Sequence, residues 1–213
     1  MGEFDLNGAK FAQINMWRLP ENNYFNDGPI NWCSNGLSVC LLIRNVNHKP
    51  PRKELKRIAL EYALEKLTIK KKNLNYEINA NQGGQLASKD GEKLAWANVS
   101  HSEYASVAVI NLHASVGVDI EPANRIVGRE GLKSLIKLPS KMNTLEMKQE
   151  NQIFLWCSIE AVCKATGHGL NALPDLKYIS SNKWAYDDQI YFTYSKTIKI
   201  ESVNHLIVIA VKH

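Results

Sequence analysis

Long hydrophobic runs are missing from this chain of 213 residues. A helix that crosses a bilayer needs about 20 consecutive apolar residues, whereas the longest plausible run, residues 206–211, has the length of a strand. Residues 1–10 carry Glu3 and Asp5 and lack the basic segment and apolar stretch of a secretory signal. The sequence therefore predicts no membrane span, no membrane partner and a cytoplasmic location.

Cysteine is also scarce, with four residues in the chain and no C-x-x-C spacing among them. Disulfide frameworks and zinc sites depend on recurrent cysteine spacings of this kind. Cys157 and Cys163 fall in a segment with helical periodicity, which favours free thiols in a reducing compartment. The apolar fraction of 45% is ordinary for a globular protein.

A strong charge of one sign is absent as well. The net charge of +5 comes largely from residues 52–72, which are rich in Lys and Arg. Such a run is most often a solvated helix face, although it also suits an acidic protein partner. We expect no nucleic-acid partner.

Apolar periodicity predicts one long helix in each half of the chain. Residues 52–70 and 151–167 repeat apolar side chains close to the 3.6-residue helical period, and Gly167 is a fitting stop for the second helix. Residues 130–137 form a shorter helical pattern that Pro139 breaks. Residues 1–36 show no clear period and carry no prediction.

Runs of β-branched and apolar residues predict the strands. They cover residues 38–43, 76–78, 106–110 and 116–121, a stretch around Tyr178, and residues 190–194 and 206–211. The short link between residues 106–110 and 116–121 predicts a hairpin. The polar, turn-rich residues 73–93 divide the chain, which we separate into an N-terminal half, 1–97, and a C-terminal half, 98–213.

Residues 116–121 alternate β-branched side chains with Gly117, Asp119 and Glu121. In a strand, the β-branched set would be buried and both acids would share the opposite face. Two carboxylates that close repel each other unless a cation lies between them, and Mg²⁺ favours oxygen ligands of this kind. A solvated strand end explains the same pattern, so this motif alone does not distinguish a metal site from a solvated strand end.

Trp156, Glu160 and Lys164 follow one another at four-residue spacing and therefore share one face of the second helix. An exposed Glu–Lys pair that slightly stabilises the helix explains this spacing. A metal ligand or base beside its proton-handling partner explains it too, because each group tunes the charge of the other.

A third cluster, Asn98-Val99-Ser100-His101-Ser102, lies just before residues 106–110. Its hydroxyl and imidazole groups, with Lys89 and Lys93 upstream, can donate hydrogen bonds to phosphate oxygens. A single histidine on an exposed loop is more often incidental, so the order of the three motifs carries the interpretation.

Taken in order, the three motifs resemble the signature of the 4′-phosphopantetheinyl transferases of the larger, surfactin-synthetase-activating type. Asn-x-Ser-His-Ser is followed about fifteen residues later by Val-Gly-Val-Asp-Ile-Glu, and after some thirty-five more by Trp-x-x-x-Glu-Ala-x-x-Lys and Gly-x-Gly-Leu. The likeness covers residues 98–170, about a third of the chain. It implies an α+β fold, a pseudo-dimer of two similar halves, each an antiparallel sheet packed with a long helix.

The resemblance also implies a reaction and its residues. Phosphopantetheine would pass from coenzyme A to a serine of an apo acyl- or peptidyl-carrier protein, with Mg²⁺ as cofactor. Glu160 would act as the base and Lys164 would assist the proton transfer. The implied metal ligands are Asp119, Glu121 and Glu160, and the implied coenzyme A contacts are Ser100, His101 and Lys93. Basic residues 52–72 and the segment 125–141 are candidate docking surfaces for the acidic carrier protein, and a chain that holds both halves is expected to be a monomer.

Three positions depart from the family pattern. Ile159 stands where a lysine is usual, Glu103 stands where a glycine is usual, and Gly91-Glu92-Lys93 replaces a Gly-Lys-Pro motif. These departures motivate an alternative, a relative that binds coenzyme A or the carrier protein without catalysing transfer. Another Mg²⁺-dependent phosphoryl enzyme, such as a nuclease or phosphatase, is a third hypothesis.

Overall fold

The computed structural model describes residues 4–6, 9–15, 30–34, 37–43, 74–75, 84–88, 93–103, 105–128, 132, 149–200 and 202–213. Within these residues the chain forms two antiparallel sheets, a long α-helix and a 3₁₀ helix. This architecture is compatible with the predicted α+β class. No helix in the described ranges is long and apolar enough to cross a membrane.

The first sheet contains eight of the described strands. They are β1 (Phe4–Leu6), β2 (Ala9–Asn15), β3 (Ile30–Ser34), β4 (Leu37–Ile43), β5 (Leu74–Asn75), β6 (Gly84–Ser88), β7 (Lys93–His101) and β8 (Ala105–Asn111). Their order across the sheet is β1-β2-β3-β4-β8-β7-β6-β5. The proposed boundary between residues 97 and 98 falls within β7, which pairs with β8.

The second sheet contains five described strands in the order β10-β11-β12-β13-β9. They are β9 (Val116–Pro122), β10 (Lys177–Ser180), β11 (Lys183–Tyr186), β12 (Gln189–Ile200) and β13 (Val203–Lys212). Helix α1 (Gln149–Thr166) and the 3₁₀ helix (Gly169–Asp175) lie between β9 and β10 in the sequence. Among the described strands, β9 is thus the edge strand of this sheet, and it pairs with β13.

The core has two apolar layers, one on each side of β9 and β13. Val118 and Ile120 of β9 join Ile207 of β13 and Val107 and Val109 of β8 in the layer between the sheets. On the other side, Val208 and Ala210 of β13 join Ile159 and Val162 of α1. Because successive strand side chains point to opposite faces, Gly117, Asp119 and Glu121 face the helix.

The predicted hairpin between residues 106–110 and 116–121 is wrong, although both strands are present. Strand β8 lies in the first sheet and β9 in the second, and their side chains pack face to face. The physical reason is that β4 and β7 occupy the two edges of β8, so neither edge is open to β9. Strand β9 pairs with β13 instead and packs its apolar face against the buried strand β8.

The other predicted elements have mixed outcomes. The strands at residues 38–43, 190–194 and 206–211 and around Tyr178 are confirmed, and so is the helix at 151–167. Gly167 follows that helix with φ of +81°, and its N–H donates to the Lys164 carbonyl over 3.2 Å, as a C-terminal cap does. The predicted helix at 52–70 and strand at 76–78 lie outside the described residues, as does all of 130–137 except Leu132.

Candidate functional site

Helix α1 packs unusually close to β9 at Gly117. A Cβ atom at this position would lie 2.0 Å from the carbonyl oxygen of Ala161 and 2.6 Å from the backbone nitrogen of Ala165. A glycine is therefore required for this approach, since the conflicting atoms are backbone atoms. The close packing places Glu160 and Lys164 over the acidic face of the strand.

Asp119, Glu121 and Glu160 form one acidic cluster. A ligand oxygen from each of the three carboxylates lies within 4.8 Å of the others. Asp119 is buried, and the two glutamates are half-buried. The strand thus presents its two acids on one face, but the helix covers that face and adds the third acid.

Lys164 contacts two of the three carboxylates of the cluster, those of Asp119 and Glu160. Its Nζ atom donates to Asp119 Oδ1 over 2.8 Å and to the Val118 carbonyl over 3.1 Å, and it lies 3.5 Å from Glu160 Oε2. Ser100 also donates to Asp119 Oδ1, over 2.8 Å, and its oxygen lies 3.1 Å from Lys164 Nζ. The same carboxylate oxygen therefore has two donors that fix its position.

The motif at residues 98–102 is part of this arrangement because its first four residues belong to strand β7 rather than to a loop. Asn98 and Ser100 are buried on β7. The Asn98 side-chain oxygen accepts the Val118 N–H over 3.1 Å, while Lys164 bonds the Val118 carbonyl. These side chains satisfy backbone groups at the open edge of β9, which would otherwise be buried without partners.

The second oxygen of Asp119 is the feature that points to a cation. Asp119 is 2% exposed, and its Oδ2 atom is buried without a hydrogen-bond partner among the described residues. The neighbouring Cys157 thiol approaches Asp119 as a further donor, and burial, followed by the charge of Asp119, raises the pKa of this thiol. The thiol therefore stays neutral, and a neutral thiol is a weak donor that does not offset a buried charge. A buried, unsatisfied carboxylate oxygen is costly unless a cation meets it.

The electrostatics of the cluster agree with a shortage of positive charge. Burial and then the charge of Asp119 raise the pKa of Glu121 to about 7, against the smaller opposing effects of Arg125 and Lys164. Burial and Asp119 likewise raise the pKa of Glu160. Burial would lower the pKa of Lys164, but Asp119 and Glu160 outweigh it and raise this pKa, so the ammonium stays charged.

The donor set therefore fits a hard divalent cation. Three carboxylates supply only oxygen ligands, which Mg²⁺ prefers, and Asp119 and Glu121 with Glu160 would hold it. Zinc is a poorer match because structural zinc sites use thiolate and imidazole ligands. Within the described part of the chain, no thiolate or imidazole belongs to this cluster.

The remaining predicted site residues lie at different places. His101 ends β7, half-buried, and strand alternation puts its side chain on the face opposite Ser100. Lys93 begins β7, but its side chain lies outside the described residues. Sequence reasoning placed Arg125 in a candidate docking surface and missed its ion pair with Glu121. A spacing of four residues brings side chains together in a helix, whereas Glu121 lies in strand β9.

A cavity of about 410 Å³ opens beside Glu160 and Lys164. The end of α1 and the start of the 3₁₀ helix supply further lining residues, including His168 and Leu170. The His168 ring packs against Tyr186, with ring centres 5.6 Å apart. A concave site with a carboxylate and an ammonium in its wall can position a polar substrate group next to both.

Comparison with known proteins assigns this site to no family, because no protein-family model and no curated protein matches the chain. The functional argument therefore depends on the residues themselves. Their arrangement offers a divalent-cation site, a base candidate in Glu160 and a charged donor in Lys164. These are the groups that phosphoryl-type transfer requires.

In the metal-free protein, Glu121 is expected to make folding stability fall as the pH rises. Its pKa is raised from 4.5 to about 7, so between these values the folded state holds the proton more tightly than the unfolded chain. The stabilisation is complete at low pH and is lost as the pH passes 7. The side chain is 16% exposed, and we expect a loss on the order of 1 to 2 kcal/mol after screening by solvent.

Urea unfolding in EDTA between pH 5 and pH 8 measures this effect. Glu121→Gln removes the titrating group and should flatten the profile relative to the wild-type protein. Wild-type and Glu121→Gln profiles with the same slope would contradict the assignment of this pKa.

Ser100→Ala is expected to weaken the binding of a divalent cation by the acidic cluster. The change removes one of the two donors to Asp119 Oδ1, so this carboxylate is held less firmly. We expect the Kd for Mn²⁺ to rise by about tenfold, as is typical when a group that orients a metal ligand is lost. Mn²⁺ titration followed by electron paramagnetic resonance measures this change. An unchanged Kd in Ser100→Ala would contradict a positioning role for Ser100.

Proposed function

We propose that this protein is a phosphopantetheinyl transferase, which moves the phosphopantetheine group from coenzyme A to a serine of an apo acyl- or peptidyl-carrier protein. The supporting observation is that residues from all three sequence motifs meet at one cluster. Ser100 comes from β7, Asp119 from β9, and Lys164 from α1, with hydrogen bonds joining all three. An incidental Glu–Lys pair or a solvated strand end gives no reason for this convergence.

The proposed mechanism assigns one task to each side chain. Asp119, Glu121 and Glu160 would hold Mg²⁺, which when bound neutralises charge on the coenzyme A pyrophosphate. Glu160 lines the cavity and, directly or through water, accepts the proton of the carrier serine. Lys164 balances the negative charge that accumulates on the phosphate oxygens. Ser100 keeps Asp119 in position.

The bond changes are those of a single phosphoryl-type substitution. The serine oxygen forms a bond to the phosphorus that carries the pantetheine arm. The bond from this phosphorus to the bridging pyrophosphate oxygen breaks, and the adenosine-containing half leaves as 3′,5′-ADP. The proton lost by serine passes through Glu160 to solvent or to the leaving group, so the atoms and charges balance.

The proposal includes the larger architecture and the encounter with the partner. We propose a monomer built as a pseudo-dimer of two similar halves. Residues 52–72 and 125–141 would dock the carrier protein, whose acidic helices suit a basic surface. Ser100, His101 and Lys93 would contact the coenzyme A phosphates, and the protein would act in the cytoplasm.

Intact-mass spectrometry tests this proposal. Several apo carrier proteins are incubated with the protein, coenzyme A and Mg²⁺, and a parallel reaction contains EDTA. We expect a mass gain of one phosphopantetheine on at least one carrier and no gain in EDTA. The absence of any gain on every carrier, with a folded protein, would contradict the proposal.

The second candidate, a relative that binds without transferring, is favoured by Glu103. This acid is exposed immediately after the motif at residues 98–102, where a phosphate site would gain from neutral or positive groups. Ile159 gives this candidate less support, because its side chain is fully buried in the apolar layer beside α1. Calorimetric binding of coenzyme A without any mass gain on a carrier would identify the binding-only protein.

A further inference from the structure

Arg125 is a charged neighbour of the acidic cluster that the proposed mechanism does not use. Its guanidinium pairs with Glu121 Oε1. The Arg125 side chain is 44% exposed, whereas that of Glu121 is 16% exposed. An exposed cation is therefore held against a largely buried carboxylate that the proposed function assigns to the metal.

Two other contacts hold Arg125 independently of Glu121. Its backbone N–H donates to the Pro122 carbonyl over 3.0 Å and closes the turn after β9. Its guanidinium carbon lies 5.8 Å from the centre of the Trp156 ring on α1, within the range of a cation–π contact. The guanidinium would therefore stay near the cluster if it lost its contact with Glu121.

We propose that Arg125 is an exchangeable counter-ion of this site. Its ion pair with Glu121 would break when a divalent cation binds Glu121, and the freed guanidinium would then bind phosphate oxygens of the substrate. The inference rests on the proposed function, since it needs both a metal in the cluster and a phosphate-bearing substrate. A guanidinium and a divalent cation repel each other and compete for the same carboxylate. Once released, the planar guanidinium offers several donors that match phosphate oxygens.

Lys164 makes a useful contrast within the same cluster. Its ammonium contacts Asp119, Ser100, the Val118 carbonyl and Glu160. Among the described residues, Arg125 forms an ion pair with one carboxylate, that of Glu121, and its side chain is more exposed than that of Lys164. The two cations therefore have different roles, because Lys164 is a fixed part of the site and Arg125 is able to exchange partners.

Mn²⁺ titration followed by electron paramagnetic resonance tests the exchange. Without substrate, Arg125→Ala should bind Mn²⁺ about two- to fivefold more tightly than the wild-type protein, the range expected from loss of an exposed ion pair. Lys183→Ala is the matched control, since it also removes one positive charge but from a residue that lies over Phe192. Unchanged or weaker Mn²⁺ binding by Arg125→Ala, or the same gain in Lys183→Ala, would overturn the competition.

Calorimetry with coenzyme A and Mg²⁺ tests the second half of the proposal. Arg125→Ala should bind coenzyme A about tenfold more weakly, the loss expected for hydrogen bonds to a charged group. The coenzyme A affinity of Arg125→Lys should lie between those of the wild-type protein and Arg125→Ala. Equal coenzyme A affinity would overturn the phosphate role of Arg125 alone. A wild-type protein that binds no Mn²⁺ would overturn the metal cluster and this inference together.

Discussion

Replacing Asp119 with asparagine is expected to lower the proposed transfer activity by orders of magnitude while leaving the protein folded. The amide has nearly the same size as the carboxylate but lacks its charge, so the cluster loses its most buried candidate metal ligand. The bond between Lys164 and the charged oxygen, 2.8 Å long, is weakened as well. We expect the transfer rate to fall by about a thousandfold, since in the proposed mechanism this carboxylate holds the metal, and it also orients Lys164.

The comparison with a matched change makes this result specific. Asp175→Asn alters an exposed aspartate at the end of the 3₁₀ helix and should leave the rate unchanged. Circular dichroism and urea unfolding check that both variants fold, and Mn²⁺ titration should show weakened binding only in Asp119→Asn. If Asp119→Asn keeps more than about a tenth of the wild-type rate, Asp119 is not an essential metal ligand.

Gly117→Ala is expected to destabilise the protein more than any surface change. The new Cβ atom would meet the Ala161 carbonyl oxygen at 2.0 Å, which forces α1 away from β9. Overpacking against rigid backbone costs about 3 kcal/mol or more. Because Glu160 and Lys164 lie on this helix, we also expect transfer activity to fall sharply in the protein that remains folded.

Gly128→Ala is the natural control for this prediction. A Cβ atom at Gly128 would meet no atom of the described structure within 4 Å. The change should alter the free energy of unfolding by less than about 0.5 kcal/mol. Urea unfolding of both variants tests the packing argument, and similar stabilities for Gly117→Ala and Gly128→Ala would contradict it.

The acidic motif was predictable from local pattern, because strand alternation decides which side chains share a face. The β-branched residues of 116–121 join the layer between the sheets, and the opposite face carries Asp119 and Glu121. The helix was equally predictable, since its apolar repeat and its C-terminal glycine are local signals. The acidic face is covered by helix α1, which is distant from β9 in the sequence. Only the folded structure therefore brings Glu160 close to Asp119.

Other features escaped sequence reasoning for identifiable reasons. The turn between β11 and β12 uses Asp187 and Asp188, with φ of 48° and 58°, where an Asn-Gly pair is the familiar signal. Strands β1, β2 and β3 lie in the segment without a clear period. The buried position of Ser100 depends on contacts with β9 and α1, which are distant in the sequence. Its bond to Asp119 therefore had no local signal.

The most direct test of the central claim is a crystal structure of the protein grown with Mn²⁺ and coenzyme A. The claim is that Asp119, Glu121 and Glu160 form a metal centre that works on the coenzyme A pyrophosphate. It predicts an anomalous Mn²⁺ peak in contact with carboxylate oxygens of the cluster, with the pyrophosphate as a further ligand. A fully bound coenzyme A with its pyrophosphate elsewhere, or a Mn²⁺ peak that avoids these three residues, would contradict the account.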